Sequence, residues 1–407
     1  MTDKAPVHPA PAGKGSVWEI FRVFLKLGTT SFGGPVAHLG YFRTELVERR
    51  KWVSDGQYAD LVALCQFLPG PASSQVGFGL GLYRAGMRGA VAAFLAFTLP
   101  SAALMVAFAY GASWFTGTVG QGLLSGLMVV AVAIVAQAVL GMARTLTPNA
   151  RRAAIAVAAA PVALLLAGSA GQIIAIALGA VAGLLFCRGM TAPPGGTLHF
   201  PVRRGVGIAS LVTFAVVLLG VPLLATLVAS PGLLLFEAFY RAGSLVFGGG
   251  HVVLPLLQAG VVDPGWVTDP AFLTGYGAAQ AVPGPLFTFS AYLGALSTTG
   301  PGGVLGAVIA LVGIFLPGYL LLVGVVPFWN TLRPRTWAQA MMRGANAAVV
   351  GILAAALCTP VFTTAITGPG PFALAVACFV LLVSWKLAPW VVVILGAVGG
   401  VLLAVMG

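Results

Sequence analysis

Apolar stretches long enough to cross a membrane recur along the chain from residue 89 onward. A helix that spans the hydrocarbon core of a bilayer needs about 20 predominantly apolar residues. We therefore predict membrane-spanning helices, a few of them short, at 89–112, 119–143, 153–167, 172–187, 205–229, 303–328, 345–366, 371–385 and 389–406.

Two other apolar segments, 17–83 and 232–299, are interrupted repeatedly by glycine and proline. Non-helical backbone at membrane depth persists only where protein or a water-filled cavity satisfies its N–H and C=O groups. Both segments are therefore candidates for the functional centre. We predict short helices in them at about 17–31, 37–50, 57–68, 72–83, 233–246, 251–261, 270–281 and 286–298.

The composition agrees with a membrane protein. Of the 407 residues, 59% are hydrophobic and 7% are charged, whereas a soluble domain carries about 25% charged residues. Long apolar runs, in place of the short alternating segments of a membrane barrel, favour helices over strands. The predicted fold is an all-α polytopic membrane protein, in which 55 glycines and 27 prolines suit close helix packing and broken helices.

The two broken segments are similar to each other in sequence. A Phe-Gly-Gly motif at 32–34 has a counterpart at 247–249, and a Pro-Gly-Pro motif at 69–71 has one at 283–285. A matched tryptophan precedes each Pro-Gly-Pro motif at the same spacing. This ordered series predicts two homologous halves, with broken helices or helical hairpins at the motifs.

The repeat divides the chain into four predicted parts. These are a tail at 1–16, a first transporter repeat at 17–204, a linking transmembrane helix at 205–229 and a second transporter repeat at 230–407. The tail is polar and no apolar region follows it directly, so we expect a disordered cytoplasmic segment and not a cleaved signal peptide.

Equivalent loops of the two halves carry opposite charge signals. Residues 43–51 include four Lys and Arg residues, whereas their counterpart at 257–265 has none and contains Asp263. Basic loops stay in the cytoplasm, so the halves are predicted to be inverted repeats related by an axis in the membrane plane. Parallel repeats are the alternative. The expected location is the inner membrane, crossed several times.

The Phe-Gly-Gly motifs suggest an anion site. Glycine lets backbone approach a ligand closely, and a helix start offers unpaired N–H groups and a partial positive charge. Two such starts that face each other would suit a small oxyanion; helix-packing glycines are the alternative. The candidate residues are Phe32, Gly33, Gly34, Pro35, Phe247, Gly248, Gly249 and Gly250.

The Pro-Gly-Pro motifs are predicted to form hairpin tips, with polar side chains nearby. Buried amides and hydroxyls need partners, which could be the anion or a neighbouring helix. The candidates here are Gln66, Pro69, Gly70, Pro71, Ser73, Ser74, Gln75, Gln280, Pro283, Gly284, Pro285 and Thr288.

Two basic residues, Lys26 and Arg241, occupy equivalent positions inside apolar helices. Charges within a span are functional candidates, and this pair would attract an anion; snorkelling, or pairing with Glu19 or Glu237, is the alternative. His251 follows a glycine break and could bind the anion or carry a proton, or be structural.

Several functions are disfavoured by what the sequence lacks. Acidic residues number nine, whereas a cation pathway usually needs carboxylates, so the cargo is predicted to be anionic or neutral. Motifs for nucleotide binding, hydrolysis, metal ligation and thiol redox chemistry are missing. We therefore expect no enzyme activity, no cofactor and no metal. The basic residues are dispersed between apolar runs, which disfavours nucleic-acid binding.

Taken together, these motifs resemble the chromate ion transporter family in its long two-domain form, over nearly the whole chain after residue 16. The matching segments are KLGTTSFGGPVAHLGYFRTELVERRKWVSDGQY, QFLPGPASSQVGFGLGLYRAGMRGA, FGGGHVVLPLL and QAVPGPLFTFSAYLGAL. The resemblance implies export of chromate from the cytoplasm and chromate resistance, with sulfate as a structural analogue.

The residues by themselves indicate a small-anion secondary transporter. With the resemblance, the leading hypothesis is a carrier that exports chromate by alternating access, driven by the membrane potential or a proton gradient. Uptake of sulfate or another oxyanion is an alternative, and an anion channel is an alternative of a different class. The expected partners are the anion and the lipid bilayer, and the sequence is compatible with a homodimer.

Overall fold

A computed structural model describes residues 15–115, 117–166, 168–188, 200–247 and 249–406. Gly248 and most of the predicted tail lie outside these residues. The described part consists of helices and short connections and contains no strand. The prediction of an all-α fold is confirmed.

The first half and the linking helix contain eight α-helices. In chain order they are α1 (Val17–Thr30), α2 (Gly34–Phe42) with a π-helical extension (Arg43–Arg49), α3 (Asp55–Phe67), α4 (Ala72–Gly111) with a 3-10 turn (Ala112–Trp114), α5 (Gly117–Leu146), α6 (Ala150–Leu165), α7 (Gly168–Phe186) and α8 (Arg204–Val228).

The second half begins with a similar series of broken helices. It contains α9 (Pro231–Leu245), a 3-10 turn (Gly250–Val252), α10 (Val253–Leu257) with a π-helical extension (Gln258–Val262), α11 (Asp269–Ala279), a second 3-10 turn (Leu286–Thr288), α12 (Phe289–Leu296), α13 (Gly303–Val325), a third 3-10 turn (Val326–Phe328), α14 (Trp329–Leu332), α15 (Thr336–Ala356) with a π-helical extension (Leu357–Phe362), α16 (Thr363–Ala365), α17 (Pro369–Val383) and α18 (Pro389–Met406).

The Phe-Gly-Gly motifs lie at the tips of helical hairpins. Arg50, just after the π-helical extension of α2, pairs with Glu19 in the first turn of α1 at 3.4 Å. The chain therefore turns back after Phe-Gly-Gly to the side on which α1 began. In the second half, Gly260 lies beside Ala238 of α9 in the same way.

The Pro-Gly-Pro motifs form a second pair of tips. Leu61 of α3 packs against Gly79 of α4, and Gly275 of α11 packs against the ring of Tyr292 on α12. Each contact joins residues at similar distances before and after its Pro-Gly-Pro motif, as an antiparallel hairpin requires. Each half therefore contributes two hairpins.

Hydroxyl side chains cap α3 and α11. The Ser54 hydroxyl accepts from the Gln57 N–H at 3.3 Å, and the Gln57 side chain accepts from the Ser54 N–H at 3.0 Å, which is a capping box. Thr268 caps α11. Asp55 and Asp269 lie in the first turns of these helices, where a carboxylate suits the helix dipole.

One predicted helix start was wrong, and one predicted interruption was confirmed. Segments 72–83 and 89–112 are separate helical stretches of α4, divided by non-helical backbone at Ala85 and Gly86. A Cβ on Gly81 would collide with the Gly89 carbonyl oxygen, so the chain reverses between the two stretches. Helix α15 begins at Thr336, nine residues before the predicted start. Arg343 lies inside this helix because its guanidinium donates to the Cys187 carbonyl at 3.2 Å and to Gln339 at 2.9 Å.

Seven helices in the described part are long and apolar enough to cross a membrane. They are α4, α5, α7, α8, α13 with its extension to Leu332, α15 with its extension to Ala365, and α18. The predicted spans at 153–167 and 371–385 correspond to α6 and α17, which have 16 and 15 residues and are short for a full crossing.

Each half packs one long helix against the other half. Helix α5 of the first half lies mainly against α18, and α15 of the second half lies mainly against α7. A side chain at Gly126 would collide with the Gly396 carbonyl, and one at Gly344 would collide with the Gly179 carbonyl. Small residues thus allow close backbone approach at both crossings, and the halves are intertwined.

Candidate functional site

The tips of the four hairpins meet in the interior, where two backbone hydrogen bonds join the halves. Gly70 N–H donates to the Val246 carbonyl at 2.8 Å, and Gly284 N–H donates to the Ser31 carbonyl at 2.9 Å. The two bonds are equivalent in sequence. Each links the Pro-Gly-Pro tip of one half to the residue before Phe-Gly-Gly in the other.

Glycine is required at the centre of each Pro-Gly-Pro motif. Gly70 and Gly284 have φ angles of 123° and 102°, which residues with a side chain rarely adopt. Space is also lacking. A Cβ on Gly70 would lie 3.0 Å from Cα of Gly318, and one on Gly284 would lie 2.7 Å from Oγ of Ser101.

The helix starts that follow the Phe-Gly-Gly motifs lie close to each other. Gly33 and Gly34 have φ angles of 97° and 77°, and α2 then begins with Pro35 in its first turn. A Cβ on Gly250, at the equivalent position of the second half, would lie 2.9 Å from Cγ of Pro35. The second start is a 3-10 turn, so the two starts differ in the geometry of their N–H groups.

Buried polar atoms surround the tips. The Ser31 hydroxyl, Nε2 of His38, Oε1 of Gln75 and Nε2 of Gln280 are buried, and no described residue gives them a hydrogen-bond partner. Buried polar groups normally have a partner in the protein, in water or in a ligand. The Ser31 hydroxyl and Nε2 of Gln280 can donate to an anion, and the His38 ring can donate from the nitrogen that carries its proton, whereas Oε1 of Gln75 only accepts and would bond to water.

Two of these residues, Ser31 and His38, were not among the predicted site residues. His38 is fully buried, with Nδ1 3.4 Å from the Ser73 hydroxyl and its ring edge-on to Phe97. A histidine within an apolar helical segment is the sequence signal that identifies His38 as a candidate, although its counterpart in the second half is Val253.

Several predicted residues at the tips are already engaged by the protein. The Gln75 amide donates to the carbonyls of Pro69 at 3.0 Å and Gly318 at 2.9 Å. The Thr288 hydroxyl donates to the Pro285 carbonyl at 2.8 Å. His251 is hydrogen-bonded to the Tyr276 hydroxyl at 2.7 Å. These hydrogen bonds stabilise the tips. They leave fewer polar groups available to a ligand than the sequence predicted.

The equivalent glutamines occupy different environments. Gln280 is buried beside the second Pro-Gly-Pro motif, whereas Gln66 is exposed. The aromatic residues before the glycines also face outward from the junction, and the Phe32 ring lies 6.0 Å from the ring of Trp390 on α18. The two halves are therefore not equally closed around their tips.

The two predicted basic residues are ion-paired. Lys26 lies 3.5 Å from Glu45, and Arg241 lies 3.3 Å from Glu237. Of the alternatives considered from the sequence, pairing describes this structure, although Glu45 replaces Glu19 as the partner of Lys26. Glu45 also pairs with Arg50 at 2.9 Å, so the Lys26 ammonium belongs to a charged cluster around 43–51, which we call the basic end.

The basic end contains most of the ion pairs. Arg43 pairs with Asp55 at 2.8 Å, and Arg84 lies 3.9 Å from Glu19. The corresponding corner of the second half contains Asp263, where burial raises the carboxyl pKa and the Asp269 carboxylate raises it further. The basic end therefore carries several basic side chains, whereas the equivalent corner of the second half carries a carboxyl group.

One buried ion pair crosses between the halves. Asp60 of α3 accepts from Arg333 at 2.7 Å and from the indole N–H of Trp329 at 3.2 Å. Asp60 is buried, and its counterpart in the second half is Thr274. Thr274 lines a cavity of about 300 Å³ between α5 and α11, and a second cavity of about 470 Å³ lies between α6 and α7. Neither is lined by the tip motifs.

Seven apolar helices of spanning length, two similar series of broken helices and a shared interior junction define an all-α, multi-pass membrane protein built from two similar halves. The chain belongs to the chromate transporter family, whose model matches residues 18–184 and 233–401. One match falls in each half.

Individual relatives match over most of their length. A "Probable chromate transport protein" from Synechococcus elongatus is 30% identical over 86% of this chain and 85% of its own. The chromate transport protein of Pseudomonas aeruginosa is 30% identical over 83% and 79%, and that of Cupriavidus metallidurans is 28% identical over 88% and 85%. No solved structure matches the chain.

The tip junction predicts a large effect of one methyl group. Gly284→Ala should cost about 1–2 kcal/mol for the left-handed backbone and about 1–3 kcal/mol for overpacking against Ser101. Thermal unfolding of the detergent-purified protein should therefore shift down by several degrees.

Gly40→Ala is the matched control. Gly40 is helical with open space around its Cβ, so alanine there should leave the unfolding temperature unchanged or raise it slightly. Equal unfolding temperatures for the two variants would contradict the requirement for glycine at the tip.

Proposed function

We propose that this protein is a secondary carrier that exports chromate across the inner membrane and thereby confers chromate resistance. Membership of the chromate transporter family supports the substrate. The observation that carries the proposal is the group of buried, unpartnered polar atoms at the junction of the two halves. The proposed role is transport and not catalysis.

The chemistry of the junction suits an oxyanion. The described carboxylates nearest to the spans, Glu45, Asp60 and Glu237, are each paired with a basic side chain. An anion at the tips would therefore meet neutral donors, the Ser31 hydroxyl and the Gln280 amide N–H, without an opposing free carboxylate. Neutral donors bind a dianion without making its release too costly, as alternating access requires.

Lys26 and Arg241 act in this proposal as attracting charges on the two routes to the junction. Both have a carboxylate partner, so the anion competes with Glu45 or Glu237 for them. A positive charge beside the route raises the local anion concentration, while the partner limits how tightly the anion is held.

Inverted repeats are part of the proposal. The start of α1 adjoins the corner at Arg84, since Gly15 N–H donates to the Arg84 carbonyl at 3.2 Å. The start of α9 adjoins the uncharged corner at Gly300, since a Cβ on Gly300 would lie 3.2 Å from the Leu235 side chain. If the basic end is cytoplasmic, the equivalent corners lie on opposite sides of the membrane. The repeat limits 17–204 and 230–407 remain predictions.

We expect Arg241→Gln to reduce chromate uptake into inverted membrane vesicles by at least about tenfold, because charged routes raise association rates by about 10- to 1,000-fold. Arg241→Lys should retain most uptake, since it keeps the charge beside Glu237. Comparison with labelled sulfate, with and without a pH gradient, tests the substrate and the coupling in the same assay.

Arg204→Gln is the control for this variant. Arg204 lies exposed in the first turn of α8, the linking helix, outside the four hairpins, and its loss should change uptake little. Uptake by Arg241→Gln equal to the parent would contradict the role of Arg241. Uptake of labelled sulfate without uptake of chromate would support the alternative of a sulfate carrier. Ionic currents that do not saturate with anion concentration would support an anion channel.

Opposite orientation of the halves predicts opposite accessibility of equivalent corners. Glu48→Cys and Pro264→Cys, both at exposed positions, would be introduced separately with Cys358→Ser, because the other described cysteines are buried. An impermeant thiol reagent should label Glu48→Cys only in inverted vesicles and Pro264→Cys only in right-side-out cells. Labelling of both from one side would support parallel repeats.

A further inference from the structure

The hairpins of the two halves are buried to very different extents. On α11, Leu273, Gly277 and Gln280 form one buried face. The same face of α3 is exposed along its whole length. The equivalent residues of α3 are Ala59, Ala63 and Gln66.

The buried face of α11 is covered by the long helix α5. A side chain at Gly277 would collide with the Leu127 carbonyl of α5, so the two backbones are in close contact. The counterpart of α5 is α15, which crosses α7 as α5 crosses α18. If the halves were arranged identically, α15 would cover α3; instead that face of α3 is exposed.

The exposed face continues onto α1 and the first tip. Lys26 and Gly33 are exposed there, together with Gln66 of α3. On α9, the equivalent of Lys26 is Arg241, which is partly buried. Exposed positions on α1, at Gly33 and on α3 therefore run from the basic end to the two tips of the first half, whereas Gln280, the equivalent of Gln66, is buried.

Lipid is a poor neighbour for this face. The Gln66 amide and the bare backbone around Gly33 lie at the tips, which belong to a bundle of helices long enough to cross a membrane. Polar side chains and non-helical backbone at membrane depth are found facing protein or a water-filled cavity. Water is therefore the neighbour that fits the exposed groups.

Asp60 of α3, next to the exposed face, has an ion pair that its counterpart on α11 lacks. Asp60 is held by Arg333 and Trp329, whereas Thr274 borders the cavity of about 300 Å³ between α11 and α5. Helix α3 is thus tied to α14 and is not covered by α15, whereas α11 is covered by α5. The two halves therefore hold the same hairpin in different ways.

We infer that the exposed faces of α1 and α3 line a water-filled crevice. The crevice is open to the basic end and leads an oxyanion to the two tips of the first half. The Asp60–Arg333 ion pair holds α3 in the open position. The identity of the ligand rests on the proposed function, whereas the existence of the crevice does not.

Thiol accessibility tests the crevice directly. Ala59→Cys and Ala63→Cys would each be placed in the full chain with Cys358→Ser, and Leu273→Cys, the equivalent of position 59, is the matched control. The probe is a charged methanethiosulfonate applied to open membrane fragments, where both faces are accessible. If the covered face opens in at most about 10% of molecules, positions 59 and 63 should react at least about tenfold faster than 273.

Two other outcomes would overturn the inference. A face turned to lipid would leave positions 59 and 63 unreactive to the charged reagent but reactive to an apolar maleimide. A face covered by a second copy of the chain would give cross-linked dimers through Ala63→Cys under mild oxidation. Equal reaction rates at 59 and 273 would also contradict the proposed difference between the halves.

The ion pair and the ligand are tested in the same background. Asp60→Asn should slow the labelling of Ala63→Cys several-fold because α3 is no longer held toward α14; an unchanged rate would refute the holding role. Sulfate, which does not oxidise thiols, should slow labelling of Gln66→Cys.

The crevice and the transport function fail in different ways. Reactive positions 59 and 63 in a protein that moves neither chromate nor sulfate would overturn the proposed function and leave the crevice standing. Active transport with unreactive positions 59 and 63 would overturn the crevice alone.

Discussion

Two backbone hydrogen bonds between the halves, from Gly70 to Val246 and from Gly284 to Ser31, determine how the interior can be built. Each broken helix leaves N–H and C=O groups without helical partners, and an unpaired group in hydrocarbon costs several kcal/mol. Since each tip supplies the partner of a tip in the other half, neither half can close its own interior alone. The crossings of α5 with α18 and of α15 with α7 hold the tips in register.

This junction explains how a protein with few charged residues could still bind an anion in its interior. The chain has 21 Lys and Arg residues against nine acidic ones, and many of the basic side chains cluster at one end. Inside, the charged groups are paired, and unpartnered polarity comes from a hydroxyl, an imidazole and two amides. A buried unpaired charge would bind a dianion tightly and impede its release, whereas neutral donors around glycine-rich backbone allow exchange.

The sequence predicts the local features of this site well, because they depend on nearby residues. Glycine and proline end helices wherever they occur, so Phe-Gly-Gly and Pro-Gly-Pro could be recognised as tips and their repetition as two halves. The partners of Lys26 and Gln75 could not be recognised, since Glu45 and Gly318 come close only through tertiary packing. The start of α15 was missed for the same reason: Arg343 looks like a loop residue until the Cys187 carbonyl is found beside it.

The similarity of the two halves in sequence also cannot indicate which half has the exposed hairpin. That difference depends on single residues. Asp60 and Thr274 are equivalent, but Asp60 forms an ion pair with Arg333. A buried ion pair adds little net stability, since desolvation offsets attraction, yet it specifies one geometry strongly because a lone buried charge is costly. It can therefore select the position of α3 without making that position much more stable than the alternative. A Cβ at Gly277 would collide with the Leu127 carbonyl oxygen, and Ala63 carries such a Cβ, so α15 cannot approach α3 as closely as α5 approaches α11. In the proposed carrier, the two halves would therefore open the shared junction by related arrangements that differ in how closely the long helix packs against its hairpin.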